Sequence, residues 1–204
     1  DDFNRTDANT LGSNWTIQSG GGQIVGNQAE GLNGAQTSNL LTYNSATSNS
    51  ISVDIFNNGT GTQYIALVLG YLNASTNYFI KLQNNGGGAF DNVGFYFGNN
   101  GSNNGAATTT FQALTTPFTT GTITATLVGT VVTLDVQPLA GVLQTYSIDY
   151  GTSTGGTGIG LGFYGTALAD NFADATGGSV PEPSTMGLLG CGLVAVGFLR
   201  RCRK

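Results

Sequence analysis

Residues 122–136, with the sequence TITATLVGTVVTLDV, indicate the fold class of this chain. Ile123, Ala125 and Leu127 alternate with threonines, and the same two-residue period resumes after Gly129. Such an alternation places the apolar side chains on one face of a half-buried strand. Gly129 can adopt the positive φ of a tight turn, so the stretch predicts two antiparallel strands joined as a hairpin.

The same period recurs along most of the chain. Residues 50–56 alternate clearly, whereas residues 64–71 are more continuously apolar, which predicts a central strand covered on both faces and paired with residues 78–82. Turns rich in Asn and Gly separate these runs, and no stretch before Ser184 has a sustained helical stripe. The predicted class is all-β, a sandwich or barrel. A β-solenoid is a less favoured alternative because the turns have no fixed spacing.

Charge and composition argue against several classes of function. Charged residues make up 8% of the chain, and Arg5 and Lys81 are the basic residues that precede the last five positions. Because no basic patch is present to neutralise phosphates, we expect no nucleic-acid partner. The polar positions are filled by neutral amides and hydroxyls, which cost less to desolvate than charges and suit an exported protein that contacts sugars or copies of itself.

Several short motifs resemble one family of bacterial domains. Residues 2–5, Asp-Phe-Asn-Arg, followed by Leu-Gly-Ser-Asn-Trp at residues 11–15, resemble the opening of concanavalin A-like (laminin-G-like) jelly-roll domains. The resemblance implies a lectin-like antiparallel β-sandwich over residues 1–176, with Trp15 in the core and with paired terminal segments that each put a Phe into the core. It continues at an edge strand, a central strand, a late hairpin and a closing strand, which correspond to residues 24–29, 78–82, 127–136 and 170–172.

The C-terminal region has a different composition. Pro181, Glu182 and Pro183 precede an uncharged run over residues 186–199, which is followed by the basic residues Arg200, Arg201, Arg203 and Lys204. This order resembles the PEP-CTERM sorting signal of Gram-negative bacteria. The domain organisation that it implies is a linker over residues 177–185, then a short hydrophobic helix and basic end over residues 186–204.

The sorting signal implies where the protein goes. Its hydrophobic helix would anchor the chain transiently in the inner membrane with the basic end in the cytoplasm, and an exosortase-type enzyme would process it near the Pro-Glu-Pro motif. The alternative is a short buried core helix, which the length of the run allows. A chain that starts at Asp1 without Met is expected if a signal peptide has been removed. No function follows from the sequence for Cys191 or Cys202.

The residues do not favour an enzyme. Glu30 is the one Glu before the tail, no strand carries alternating acids, and the chain has no His. Glycoside hydrolases need two suitably spaced carboxylates, and other hydrolases usually need a His or Cys. We therefore predict a protein that is not an enzyme, with a glycoside hydrolase built from Asp alone as a remote alternative.

Two sets of residues are candidates for binding. Asp2, Asp170 and Asn171 could bring hard oxygen ligands to one sheet edge and hold a structural calcium ion, or they could simply cap turns. The other acids, Asp54 among them, look too scattered to form a site. Exposed aromatic rings are common in sugar sites, although in strands they are often half-buried structural residues. The candidate carbohydrate contacts are Tyr71, Tyr96, Tyr146, Tyr150 and Tyr164.

The sequence therefore predicts an exported, non-catalytic protein of the cell surface or biofilm matrix. Its lectin-like domain would bind exopolysaccharide or another glycan. The alternative is a structural subunit that assembles with itself into an extracellular fibre or sheath. Low charge and strand edges that are not protected by lysines favour association by strand addition.

Overall fold

The computed structural model describes residues 1–32, 39–98 and 111–174, without the side chains of residues 45–47. The regular structure in these ranges consists of strands. They are β1 Trp15–Ser19, β2 Gly22–Val25, β3 Gln28–Gly31, β4 Asn39–Thr47, β5 Ser50–Phe56, β6 Thr62–Asn73, β7 Thr76–Asn85, β8 Phe90–Phe97, β9 Phe111–Phe118, β10 Thr120–Val128, β11 Val131–Pro138, β12 Gln144–Asp149, β13 Gly158–Tyr164 and β14 Leu168–Asp174.

The strands form two antiparallel sheets of seven strands each. The front sheet has the order β1-β4-β13-β6-β7-β8-β9, and the back sheet has the order β12-β11-β10-β5-β14-β3-β2. One hydrophobic core lies between the inward faces of the two sheets. The predicted all-β sandwich is therefore confirmed.

The alternation read from the sequence sets the inward and outward faces. Ile51, Val53 and Ile55 of β5 are fully buried in the core, whereas Ser52 and Asp54 face outward. Strand β6 is buried on both faces over residues 64–69, as its continuous apolar run predicts. Strand β6 needs this second apolar face because its outward side chains belong to a second cluster of buried residues, on the outer face of the front sheet.

Three hairpins show how tight turns connect neighbouring strands of the two sheets. The predicted β10-β11 hairpin turns at Gly129 with a φ of 64°, and the predicted β6-β7 hairpin is also present. The expectation of a single edge strand over residues 24–29 is wrong. Gly26 and Asn27 both adopt positive φ, 57° and 64°, as in a two-residue hairpin turn, so the stretch divides between β2 and β3.

The N-terminal segment packs against the last strand. Asp1 and Phe172 exchange two backbone hydrogen bonds of 2.7 and 2.9 Å. The buried rings of Phe3 and Phe172 both contact Trp15, with centroids 5.8 and 5.0 Å away. The expected pairing of the ends and the core position of Trp15 are confirmed. However, residues 1–4 form no strand, and the side chain of Asp1 accepts hydrogen bonds from Arg5 and Trp15.

Side chains and the N-terminal segment cover parts of two sheet edges. On β9, the Thr116 backbone N–H donates to Gln144 Oε1 at 3.0 Å, and Gln144 Nε2 donates to the Thr116 carbonyl at 2.9 Å. On β2, Ala8 and Ile24 exchange two backbone hydrogen bonds. Neutral side chains and backbone thus satisfy edge groups that the sequence analysis expected to be open.

The predicted linker and the predicted hydrophobic helix lie outside the described residues. This applies to the Pro-Glu-Pro motif and to the four basic residues after the uncharged run. Within the three described ranges, no helix has the length and apolar character needed to span a membrane.

Candidate functional site

Strand pairing in the back sheet brings several polar residues together near Asp54. The register of β5 and β14 places Asp170 directly opposite Asp54. Asn171 Nδ2 donates to Asp54 Oδ2 at 2.8 Å, and Thr122 Oγ1 donates to Asp54 Oδ1 at 2.5 Å. Asp54, which the sequence analysis set aside as one of the scattered acids, therefore accepts hydrogen bonds from both neighbouring strands.

The three residues of the predicted calcium site lie near this group. Burial raises the pKa of Asp170, and the neighbouring carboxylates of Asp54 and Asp2 raise it further. Asn171 has a φ of 51°, at a point where the register of β14 against β5 shifts. Among the described residues, no group of three or more Asp, Glu, His or Cys side chains could hold a metal ion. The calcium site stays a prediction.

An open groove with a volume of about 400 Å³ lies beside Asp54 on the outer face of the back sheet. Gly121 permits its shape, because a Cβ at this position would lie 2.4 Å from the Gln137 carbonyl oxygen and would push β11 away from β10. We call it the Asp54 groove. Its polar wall is formed by Asp54, Thr122 and Gln137, and its apolar wall by Phe56, Pro138 and Leu139.

The apolar wall of the groove is held in place by its neighbours. Gln137 Nε2 donates to the carbonyl oxygens of Pro138 and Gly141 at 3.1 and 3.3 Å, which ties down the loop after β11. The Leu139 backbone N–H donates to the Thr120 carbonyl at 2.8 Å. The side chain of Leu139 is nevertheless 81% exposed. An exposed apolar side chain on a tethered loop offers a ligand a surface that is largely preformed.

The arrangement can bind a molecule that has both hydroxyl groups and an apolar face. Each carboxylate oxygen of Asp54 already accepts one hydrogen bond, and each has capacity to accept another. A hydroxyl group of a ligand can supply that hydrogen, and a hydrogen bond to a charged acceptor contributes about 1.5–3 kcal/mol. The ring carbons of a sugar can pack against Phe56 and Leu139, which also line the groove.

Two of the predicted tyrosine contacts have structural roles. Tyr150 is buried, its ring centroid lies 4.7 Å from that of Tyr78, and its hydroxyl donates to the Tyr96 carbonyl at 3.2 Å. Burial raises the pKa of Tyr150. Tyr146 accepts a hydrogen bond from the Thr115 N–H at 3.0 Å beside the capped edge of β9. The ring of Tyr150 is therefore closed to a ligand, whereas Tyr146 is half-buried and stays a predicted sugar contact.

The other three predicted tyrosines, Tyr71, Tyr96 and Tyr164, lie on the outer face of the front sheet, within a layer of aromatic rings. Tyr64, Phe79 and Tyr96 are at most 4% exposed, so the middle of this layer is closed. Tyr71 and Tyr164 are half-buried at its margin and stay predicted sugar contacts. Successive centroids in the row Tyr164, Tyr64, Phe79, Tyr96 and Phe111 are 5.5–6.3 Å apart.

A buried lysine lies inside this aromatic layer. Lys81 Nζ is 5.0 Å from the ring centroids of Tyr64 and Tyr96 and 5.1 Å from that of Phe111. Burial lowers the pKa of Lys81 to about 8. Sequence reasoning missed this group, although Lys81 occupies an outward-facing position of β7 between two apolar residues, Ile80 and Leu82.

The C-terminal tail has a recognisable identity. Residues 179–204 match the family model of the PEP-CTERM protein-sorting motif. The chain carries a PEP-CTERM sorting motif. This confirms the resemblance noted in the sequence, and the motif implies an exported protein that is processed by an exosortase-type enzyme. No curated protein sequence matches the chain.

Solved structures similar to this chain are β-sandwiches. The CBM2 module of the Lactobacillus casei BL23 phage J-1 evolved Dit has a TM-score of 0.52 at 13% identity, covering 84% of this chain and 91% of its own. The carbohydrate binding module CBM66 from Bacillus subtilis has a TM-score of 0.46 at 14% identity, covering 78% and 93%. The lectin from Bauhinia forficata has a TM-score of 0.46 at 10% identity, covering 78% and 91%. The fold is thus a jelly-roll-like sandwich, and at these identities the likeness concerns the fold alone.

Proposed function

We propose that this protein is an exported, non-catalytic glycan-binding module of the cell surface or biofilm matrix, and that it binds polysaccharide in the Asp54 groove. The observation that carries the proposal is the groove itself. It combines a carboxylate that is already oriented by Thr122 and Asn171 with an apolar wall on the other side. Sugar-binding sites commonly have this composition of a few fixed polar groups beside an apolar surface.

The comparison structures support the proposal. The phage protein with the TM-score of 0.52 is described as a CBM2 module, and this chain shares its sandwich architecture. The sorting motif supports export, after which the sandwich would meet polysaccharide outside the cell. We propose that the hydrophobic tail anchors the chain in the inner membrane until it is processed. We also propose that the processed protein is located at the cell surface or in the biofilm matrix.

The groove favours binding over hydrolysis. Asp54 is the one acid among its lining residues, and Gln137 and Thr122 complete its polar wall. A glycoside hydrolase needs two carboxylates that flank the same glycosidic bond. Asp170 lies opposite Asp54 but does not line the groove, so a glycan in the groove contacts one carboxylate and neutral groups, and the proposal is for a protein without hydrolase activity.

Covered positions on β9 and β2, two of the four edge strands, count against strand addition at these places. Strand addition needs backbone groups that are free to pair with another chain. Gln144 already occupies both backbone groups of Thr116 on β9, and Ala8 pairs with Ile24 on β2. A second chain would have to displace these contacts before it could add a strand at either place.

A glycan array with the full chain tests the proposal, using Asp54→Ala and a matched Asp91→Ala control. Asp91 of β8 is also a carboxylate that accepts a side-chain hydrogen bond, here from Asn92 Nδ2 at 2.7 Å, but it lies on the front sheet and does not line the groove. We expect saturable binding that Asp54→Ala weakens at least about tenfold, the equivalent of about 1.4 kcal/mol. The control should bind like the wild type.

Two results would count against the proposal. Absence of binding to every glycan on the array would remove the proposed function. Equal weakening by Asp54→Ala and Asp91→Ala, with both variants folded by circular dichroism, would remove the groove as the binding site. Release of reducing sugar from a bound polysaccharide would contradict the non-catalytic part.

A further inference from the structure

The Asp54 groove opens onto a larger polar surface, which we call the hydroxyl face. It consists of ten polar residues that face outward on the neighbouring strands β5, β10, β11 and β12. Their registers align Asp54 with Thr122, and Ser52 with Thr124. The residues of the hydroxyl face are Ser52 and Asp54, Thr122, Thr124 and Thr126, Thr133, Asp135 and Gln137, and Thr145 and Ser147.

The hydroxyl face is rich in hydrogen-bond acceptors. The Thr122 hydroxyl donates its hydrogen to Asp54, and the Thr145 hydroxyl donates its hydrogen to Asp135 at 2.6 Å. A hydroxyl group has one hydrogen and two lone pairs, and a carboxylate has only acceptor sites. Once these two hydrogens are used within the face, Asp54 and Asp135 offer a ligand only acceptor sites, while the other hydroxyl groups offer both a hydrogen and lone pairs. A ligand that contacts either carboxylate must therefore bring hydrogen-bond donors.

The charge of the hydroxyl face is negative or neutral at every described position. It contains two carboxylates and no Lys or Arg. The whole chain has a formal net charge of −5. An acidic polysaccharide would place its carboxylates against this surface. They carry the same charge as Asp54 and Asp135, and they can accept but not donate hydrogen bonds, so both the repulsion and the missing donors are unfavourable. A neutral polysaccharide brings many hydroxyl donors and no repulsion.

The hydroxyl face is wide enough for more than one sugar unit. Its four strands are adjacent in the back sheet, and neighbouring strands lie about 4.8 Å apart, so the face spans roughly 14 Å across the strands. The Asp54 groove lies at one end of this area, beside the ends of β10 and β11. A chain held in the groove can therefore continue over the threonines of β10.

Resting on the proposed function, we propose that the hydroxyl face extends the Asp54 groove into a platform that selects neutral, hydroxyl-rich polysaccharides and rejects polyuronates. The selection comes from the acceptor-rich surface and from the absence of a cation on it. Thr124 lies near the centre of the face, between Ser52 and Asp135, and so contacts any chain that crosses it.

Affinity electrophoresis of the full chain tests the selection. The gels contain either neutral polysaccharides (dextran, mannan, galactan and β-glucan) or polyuronates (alginate and polygalacturonate). We expect at least one neutral polysaccharide to retard the protein and neither polyuronate to do so. In Thr124→Lys, the apparent dissociation constant for the neutral polysaccharide should rise about tenfold, and alginate should begin to retard the protein.

Ser75→Lys is the matched control, because it adds the same charge at an exposed turn of the front sheet. It should leave retardation by the neutral polysaccharide unchanged. Retardation by polyuronates alone, if abolished by Asp54→Ala, would overturn the selection while leaving the groove as a glycan site. Equal effects of Thr124→Lys and Ser75→Lys would overturn the role of the hydroxyl face. No retardation by any polysaccharide would instead remove the proposed function.

Discussion

Lys81 leads to a quantitative prediction about the pH dependence of stability. Its side chain is 1% exposed among three aromatic rings, and its pKa falls from an ordinary 10.5 to about 8 because burial disfavours the charged form. Between these two values the unfolded chain binds more protons at Lys81 than the folded chain does. The free energy of unfolding must therefore rise with pH across this window.

The expected gain between pH 8 and 9.5 is about 1.5 kcal/mol. A full unit of pKa difference corresponds to about 1.4 kcal/mol, and Lys81 of the folded protein is still partly protonated at the lower end of the range. Measurements should stop at pH 9.5. Above it, the raised pKa of Tyr96, about 12, makes the unfolded chain lose its phenolic proton first, which lowers stability as pH rises.

Urea unfolding followed by the fluorescence of Trp15, the single tryptophan, measures this dependence. The wild type should gain stability over the window, whereas Lys81→Met should show little change because it has no proton to release. Lys81→Arg, which stays charged throughout, should also lose the slope but should be less stable than Lys81→Met. A wild-type slope that survives in Lys81→Met would refute the assignment to Lys81, and a flat wild-type profile would refute the burial of its ammonium group.

Two further predictions concern an edge and a close approach. Gln144→Ala removes both hydrogen bonds to Thr116 and should lower the free energy of unfolding by about 1 kcal/mol. The variant should also form dimers through the uncovered edge of β9, which sedimentation velocity would detect. A variant that stays monomeric would count against the capping role of Gln144. Gly162→Ala places a Cβ 2.6 Å from the ring of Phe79 and should lower the free energy of unfolding by about 2 kcal/mol, measured by thermal unfolding. The control Gly87→Ala, whose Cβ would have no atom within 4 Å, should be nearly neutral. Equal effects of the two substitutions would contradict the packing at Gly162.

The sequence contains most of the information needed for the sandwich. Period-two runs such as residues 50–56 put their apolar residues into the core, and Gly129 turns the hairpin as its position predicts. These features are local, so they can be read without knowing which strands are neighbours. The division of residues 24–29 into β2 and β3 was missed because the turn residues Gly26 and Asn27 lie inside what looks like one strand.

The candidate site could not be derived in the same way. Asp54 and Asn171 are 117 positions apart, and they meet only because β5 and β14 pair in one particular register. Register between distant strands depends on the complete packing of the sheet, which single-strand patterns do not encode. For the same reason, the burial of Tyr150 and of Tyr96 depends on neighbouring strands that their own sequence does not identify.

Hydrogen–deuterium exchange of the full chain, with and without the glycan that binds most tightly on the array, tests the central claim most directly. Binding in the proposed groove should slow exchange in β5, in β10 and at the end of β11 near Pro138. Protection confined to the front sheet around Tyr164 and Tyr71, with none in β5 or β10, would contradict the account.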